Sequence, residues 1–352
     1  MEYNLKTAAT AEKKAKVSVV IPTYGRAEMV VQAVLAALSQ ELEPYEIIVG
    51  DDNSPDDTVF RLNSIACNYS KIKILKSDTN SGGVANWNRV IDAATGEYIA
   101  YCSDDDYFLP YHLKGSVKYL EDHHEIDLVH SGFFNLSESP GGLPKVSIEL
   151  ISKNIDIVSG IEALRHIVKN TSYPFQPSTF VFRKKLWDAV GKFNSKYSVA
   201  DTEWFIRVGL SYRVAYLPVP SVVNRRHLNN WSNRVGSMGM NEEFHNMMRD
   251  AIEFIKRDNN PHSYIILKMY WQACELIKFT RIYLARSRAG LFDVSGQSAD
   301  MLWLIIFNER RGVSYVFFSR IMRFFSRVLS LLQIYILGGI DKYRSLGQDC
   351  PK

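Results

Sequence analysis

Three groups of carboxylates stand out because each falls where a folded element should begin or end. Asp51-Asp52 follow the run Glu46-Ile47-Ile48-Val49-Gly50. Asp104-Asp105-Asp106 follow Tyr98-Ile99-Ala100-Tyr101. Asp201 opens Asp201-Thr202-Glu203-Trp204-Phe205-Ile206-Arg207. Three adjacent carboxylates repel one another unless a cation or a donor-rich ligand compensates them. Hard oxygen ligands suit Mg2+ or Mn2+, and Mg2+ commonly binds through one or two carboxylates plus substrate phosphates. Taken singly, each group also has a plainer reading. Asp51-Asp52 before Asn53-Ser54-Pro55 fit a solvated turn, the Asp104 triplet an exposed acidic loop, and Asp201 a helix N-cap.

The elements that must position these carboxylates alternate in kind. Val17 to Ile21 reads as a strand stopped by Pro22, and Met29 to Leu38 as an Ala-rich helix. Strands follow at Glu46–Val49, Ile72–Leu75 and Tyr98–Tyr101, with a helix over Val84–Ala94 between the last two. Strands alternating with helices argue for βαβ units and a mainly parallel sheet. In open sheets of that kind ligands sit outside the carboxyl ends of the strands, where both acidic clusters fall. The Gly/Pro/Ser-rich segment Ser137–Lys145 reads as a loop, Ser178–Phe182 as a strand and Asp201–Leu210 as a helix. From Asn241 the pattern becomes helical, with a second helix from Asn260-Pro261 to Gly290. The expected organisation is a polar tail over residues 1–16, an α/β domain over 17–239 and a helical region over 240–352.

Composition sets the outer limits. Of 352 residues, 46% are hydrophobic and 23% charged, which excludes a disordered or fibrous chain. A net charge of +4 is too small to imply nucleic acid. Four cysteines without a CxxC pair suit a reducing compartment. The polar, Lys-rich start lacks a signal peptide's apolar core, and no apolar run is long enough for an ordinary transmembrane helix.

In this order and spacing the motifs resemble those of family 2 inverting glycosyltransferases with the GT-A fold. The likeness is carried by VSVVIPTYGR (Val17–Arg26), EIIVGDDNSPDDT (Glu46–Thr58), GEYIAYCSDDDYFLP (Gly96–Pro110) and Asp201 to Arg207. Ser81-Gly82-Gly83 with Asn88, and the stretch from Phe182 to Phe193, resemble the intermediate landmarks. The resemblance covers residues 17–235. It implies a GT-A nucleotide-diphospho-sugar transferase fold with a helical C-terminal extension. Pro22, Thr23 and Tyr24 would line the nucleotide pocket. Asp52, with Asp51 beside it, would accept a hydrogen bond from the base, most naturally a uracil or thymine N3–H, as of a UDP- or dTDP-sugar. Asp104 would face the ribose or the metal, and Asp105 would be the principal ligand of Mn2+ or Mg2+. Arg226 and His227, in Arg225-Arg226-His227, would lie near the diphosphate. Asp201 would be the base. Two departures from the family pattern are visible. Ala200 stands where Glu is usual, with Glu203 the substitute acid, and Cys102 stands where the first Asp of the metal motif is often found.

That inventory fits an in-line displacement at an anomeric carbon. The acceptor hydroxyl must lose its proton to a carboxylate on the face opposite the leaving group. The departing diphosphate needs positive charge, from a cation at Asp105 helped by Arg226 or His227. No Ser or Cys motif points to a covalent intermediate. Two other readings share some of these features: a nucleotidyltransferase, and a non-catalytic scaffold. The first favours a Gly-rich basic loop after the first strand, of which Thr23-Tyr24-Gly25-Arg26 is a poor version; the second is opposed by Asp52, Asp105 and Asp201 occurring together.

Residues 280–352 carry eleven Lys/Arg against five Asp/Glu. Within Val313–Val328, Arg320, Arg323 and Arg327 share a helical face beside Tyr315, Phe317, Phe318 and Phe324. A basic face next to an aromatic one fits a helix lying on a membrane interface. The expectation is a cytoplasmic protein, peripheral on the inner membrane, whose partners are a nucleotide-sugar donor and a glycan or lipid-linked acceptor of surface polysaccharide synthesis. Packing on the catalytic domain or a homo-oligomer contact is the alternative for that helix.

Overall fold

The first two apolar runs form strands covered on both faces. In the computed structural model, which describes residues 14–137, 143–150, 156–158, 176–227, 230, 243, 246, 247 and 250, β1 (Val17–Thr23) and β2 (Glu46–Asp51) are buried along their whole length. Continuous apolar strands are the signature of a parallel sheet clad with helices. Helix α1 (Ala27–Leu38) follows β1 and buries Ala27, Val30, Ala33, Val34 and Ala37 at helical period. Helix α2 (Thr58–Ala66) follows β2, then β3 (Ile72–Lys76), α3 (Gly83–Asp92) and β4 (Tyr98–Tyr101). Strands β3, β2, β1 and β4 lie side by side and parallel. This half matches the βαβ expectation.

Beyond β4 the sheet becomes mixed. The chain continues through β5 (Tyr107–Phe108), α4 (His112–Asp122), β6 (Leu128–Ser137), β7 (Lys145–Glu149) and β8 (Asp156–Val158). After a 3-10 turn at Pro177–Thr179 come β9 (Val181–Arg183), α5 (Lys184–Val190), α6 (Ala200–Ser211) and β10 (Val214–Arg226). Among the described residues the order is β3-β2-β1-β4-β9-β6-β10-β5, with β7 on β6 and β8 on β10. Strand β9 runs antiparallel to both β4 and β6. Its reversal brings the turn that precedes it to the carboxyl end of β4. Phe180 O accepts from Tyr101 N at 3.2 Å, and Ser178 Oγ accepts from Ser103 N at 3.0 Å.

Close packing fixes the neighbour of the second acidic motif. A Cβ on Gly50 would come within 2.3 Å of Val90 Cγ1 and 2.7 Å of Asn86 Oδ1. Only glycine lets α3 approach β2 this closely. Asn86 Nδ2 then donates to Gly50 O at 2.7 Å, locking the helix to the strand end.

The loop expected over Ser137–Lys145 is bounded by strands, because β6 extends through Ser137 and β7 starts at Lys145. Positions 243, 246, 247 and 250 are helical, in line with the pattern read from Asn241. The boundary expected near Gly239, the helix expected over residues 260–290 and the arginine-aromatic segment 313–328 lie outside the described residues. The chain divides into two units at Asn260/Pro261. Among the described residues no helix is long and apolar enough to cross a membrane.

Two histidines are buried in the half-sheet around β6. His130 packs among Phe180, Phe205 and Tyr216, and His112 meets Ser221 Oγ through Nδ1 at 2.7 Å. Burial holds both imidazoles neutral, with pKa lowered from 6.5 to about 3. The unfolded chain therefore takes up protons first as pH falls below 6.5. Stability contributed by each site is complete above that value and declines toward pH 3, by at most about 1.4 kcal/mol per pH unit per histidine. Urea unfolding between pH 7 and 5 should reveal this decline, and His130→Leu should flatten it. An unchanged slope in the variant would put the proton uptake elsewhere.

Candidate active site

The strand register carries the first two motifs to one edge. Pro22 lies opposite Gly50 and Thr23 opposite Asp51, and Thr23 O accepts from Asp52 N at 3.0 Å. Val20 lies opposite Tyr101, and Val20 O accepts from Cys102 N at 3.0 Å. The ends of β1, β2 and β4 thus open onto the same rim, where a doubly wound sheet binds its ligands. Pro22 and Thr23 are buried there, whereas Tyr24 is 48% exposed and presents its ring to solvent.

Asp51 and Asp52 are buried and engaged with backbone. Asp51 Oδ2 accepts from Ser54 N at 3.2 Å, closing the turn in which Asn53 takes φ 63, a left-handed conformation that asparagine tolerates. Asp52 accepts from Ser81 N at 3.0 Å, Ser81 Oγ at 2.7 Å and Gly82 N at 2.8 Å. It thereby ties the start of α3 to the end of β2.

The triplet Asp104-Asp105-Asp106 is buried, and each member has its own partners. Asp104 accepts from Thr23 Oγ1 at 2.8 Å and from Arg26 Nη1 at 2.6 Å. Asp105 Oδ2 accepts from Arg26 Nη1 at 2.9 Å and from Asn230 Nδ2 at 3.3 Å, and lies 3.2 Å from His227 Nε2. Asp106 accepts from Ser178 Oγ at 2.6 Å, Gln176 Nε2 at 2.9 Å and Arg225 N at 3.1 Å. Burial raises the pKa of Asp104, opposed by Arg26 and reinforced by Asp105. Burial and the charge of Asp105 push Asp106 upward as well.

Adjacent residues of β10 point in opposite directions. Arg225 enters the cluster: its Nε donates to Asp105 O, and its guanidinium lies over the Tyr107 ring, 5.5 Å from the centroid. Arg226 is exposed and reaches Asn135 Oδ1 at 3.3 Å. Of the basic pair, the sequence singled out Arg226; the structure gives the contact with the acidic triplet to Arg225. His227, expected near the diphosphate, lies beside Asp105. Arg26, Arg225, Asp106, Ser178 and Asn230 were assigned no role from sequence. Arg26 and Asp106 stood inside the quoted motifs, whereas Ser178 reaches the site only through the reversal of β9.

Asp201 begins α6, partly buried, with Oδ1 accepting from Thr202 N at 2.8 Å. Burial raises its pKa above the usual carboxylate value. The buried Tyr101 phenol feels the charges of Asp201, Asp104 and Asp105, which add to burial in pushing its pKa far up. The approach to α6 is pinned by Glu243, which accepts from Ser198 N at 2.9 Å and Ser198 Oγ at 2.6 Å. Trp204 Nε1 donates to Gly191 O at 2.9 Å and packs against Phe182, Trp187 and Phe193. Cys102 is buried, and burial pushes its thiol far above the range of a reactive nucleophile.

Among the described residues no group of three or more His, Cys, Asp or Glu forms a metal cage. The donor set is nonetheless of the right kind for Mg2+ or Mn2+. Two hard carboxylates converge with an imidazole beside one of them, which leaves the remaining positions to water or phosphate oxygens.

The sequence model described as Glycosyl transferase family 2 matches residues 18–188. A relative called uncharacterized glycosyltransferase YwdF, from Bacillus subtilis, is 30% identical over 211 residues, spanning 59% of this chain and 73% of that protein. The GalNAc(5)-diNAcBac-PP-undecaprenol beta-1,3-glucosyltransferase of Campylobacter jejuni is 35% identical over 95 residues, 27% of this chain and 31% of that enzyme. S. aureus TarS, solved in complex with UDP-GlcNAc, superposes with a TM-score of 0.57 at 18% identity, over 83% of this chain and 79% of that one. The fold is that of the GT-A glycosyltransferases. The chain belongs to glycosyltransferase family 2.

Glu203, the substitute acid, is already engaged. It is buried and forms a two-pronged ion pair with Arg207, at 2.7 Å to Nε and 2.9 Å to Nη2. Arg207 in turn donates to Val190 O at 2.6 Å and Lys192 O at 2.7 Å. Glu203→Ala strands a buried guanidinium and should cost about 3–5 kcal/mol. Denaturant midpoints of the two single variants and of the Glu203→Ala/Arg207→Met double variant check this. The double variant should be more stable than Glu203→Ala, and additive losses would mean the pair is not coupled.

Proposed function

We propose that the protein is a metal-dependent inverting glycosyltransferase. It moves a sugar from a UDP- or dTDP-sugar to a hydroxyl of a glycan or lipid-linked acceptor. The observation that carries this reading is the buried acidic corner at the end of β4. There Arg26 compensates the Asp104–Asp105 pair, and a further carboxylate with a raised pKa stands at the start of α6. The UDP-GlcNAc complex of TarS and the lipid-linked substrate in the name of the Campylobacter relative support the same donor and acceptor classes.

The residues divide the work by position. Tyr24 offers an exposed ring against which a base can stack, and Asp52 keeps acceptor capacity for the base N3–H at the rim beside it. Asp104 and Asp105 would hold a divalent cation at the diphosphate end of the donor, with His227 at the edge of the pair. Such a cation, when bound, neutralises charge that builds on the leaving diphosphate. Asp201 takes the proton of the acceptor hydroxyl as the new glycosidic bond forms; its raised pKa makes it a stronger base than an exposed aspartate. In-line attack with the base opposite the leaving group gives inversion.

Asp201→Asn preserves shape but cannot take the proton. Turnover should fall about 10²–10⁴-fold with donor affinity unchanged. Because Asp201 must be ionised, wild-type kcat should rise with pH through a pKa above 3.8. Near-normal turnover in the variant would sink the assignment. Asp105→Ala should lose Mn2+-dependent UDP binding by calorimetry. Release of UDP, rather than pyrophosphate, separates this reaction from nucleotidyl transfer.

The reading extends to location. The arginine-aromatic segment of residues 313–328 fits reversible attachment to an anionic membrane surface, where lipid-linked acceptors reside. Each basic residue there contributes on the order of 1 kcal/mol at low salt. Full-length protein should co-sediment with anionic but not neutral liposomes, and lose binding at high salt. Protein that stays in the supernatant throughout would favour a packing or oligomer role for the tail.

A further inference from the structure

Arg26 lies in the first acidic rim contact but has no part in the reaction described above. It follows Gly25, whose φ of +62 turns the chain between β1 and α1. From there its Nη1 lies 2.6 Å from Asp104 Oδ1 and 2.9 Å from Asp105 Oδ2. The carboxylates are 8% and 11% exposed and the arginine side chain 25%, so the guanidinium caps the pair from its solvent side. A divalent ion bound by both carboxylates would need the same two oxygens, at roughly 2.0–2.2 Å. One nitrogen in contact with both oxygens blocks a cation from bridging them. Two cations cannot share it.

The neighbouring charges do not relieve this competition. Arg225 engages the backbone oxygen of Asp105 rather than its carboxylate and directs its guanidinium to Gln32 and Met29 O. The donors on Asp106 come from Ser178, Gln176 and Arg225 N. His227 and Asn230 meet Asp105 Oδ2 from β10 and the residues after it. Arg26 bridges both members of the pair and is carried by the turn at Gly25.

We propose that Arg26 is a resident counter-ion of Asp104 and Asp105, and that its guanidinium and the divalent cation occupy this carboxylate pair by turns. The inference rests on the metal-dependent reading and adds an order to it. A metal ion alone must displace Arg26 without compensation and binds weakly. A metal ion arriving with a nucleoside diphosphate brings anionic oxygens that can receive the displaced guanidinium, so metal and nucleotide bind cooperatively. Arg26 is then a gate on free metal and a second positive contact for the diphosphate.

Mn2+ binding, read by electron paramagnetic resonance of the free ion, tests this in wild type, Arg26→Gln and Arg26→Lys, each with and without UDP. Arg26→Gln should bind Mn2+ alone at least about tenfold tighter than wild type, which is about 1.4 kcal/mol. Its gain in Mn2+ affinity on adding UDP should be smaller than that of wild type. Arg26→Lys, which keeps the charge, should resemble wild type. Equal affinities of wild type and Arg26→Gln for Mn2+ alone would overturn the proposal, while UDP-dependent Mn2+ binding would leave the metal reading standing. Absence of Mn2+ binding in every protein with UDP present would overturn both. Should Arg26→Gln fail to fold without metal, the proposal requires Mn2+ to restore its melting transition, and failure to do so also overturns it.

Discussion

Like-charge repulsion at the end of β4 is the constraint on which the rest of the rim depends. Asp104, Asp105 and Asp106 are consecutive and all buried. Ionised carboxylates in that position are costly unless donors and cations surround them. The surrounding structure supplies them from separate stretches of chain: Thr23 from β1, Arg26 from the turn after it, Ser178 and Gln176 from the 3-10 turn region, and Arg225 and His227 from the end of β10. Elements distant in sequence are held in register by the need to compensate one charged corner. The same need leaves the corner ready for a cation. Exchanging the neutralising partner is costly unless the displaced guanidinium meets another anion.

The sheet topology is what makes the compensation reachable. Parallel strands β1, β2 and β4 place their carboxyl ends together, so the motifs on them meet without long loops. Parallel order alone would put strand starts far from that rim. The antiparallel β9 solves this by presenting its own beginning there, which is how Ser178 reaches both Ser103 N and Asp106. The mixed half of the sheet is therefore part of the site's construction.

These two halves differed in legibility for a physical reason. Strands β1, β2 and β4 are buried along their length, and their apolar runs, with the aspartates at the ends of β2 and β4, read directly from the sequence. The family resemblance marked Asp104, Asp105 and Asp201, and the first two lie buried at the end of β4 with Arg26 between them. Arg26 and Arg225 carried no such signal. Their importance lies in which oxygen each reaches, and that is set by the turn at Gly25 and by the alternation of β10. Strand alternation decides between Arg225 and Arg226, but only once the register of the strand is known. Ser178 was read as part of a strand; it lies instead in the turn before β9.

Helix α6 shows how one turn of chain can separate two acids into different tasks. Asp201 and Glu203 are two residues apart, about 200° around a helix, so they face opposite ways. Glu203 points inward and meets Arg207 one turn later, where the pair also satisfies the carbonyls of Val190 and Lys192. That bond fixes the rotation of the helix about its own axis, assisted by Trp204 on the aromatic cluster. With the rotation fixed, Asp201 at the first turn faces away from this anchor and keeps one carboxylate oxygen on Thr202 N. Its burial raises its basicity, and among the described residues no ion-pair partner lowers it. A carboxylate committed to arginine is not free to take a proton, so in the proposed reaction the anchoring acid and the proton acceptor are different residues. The helix places them on different faces.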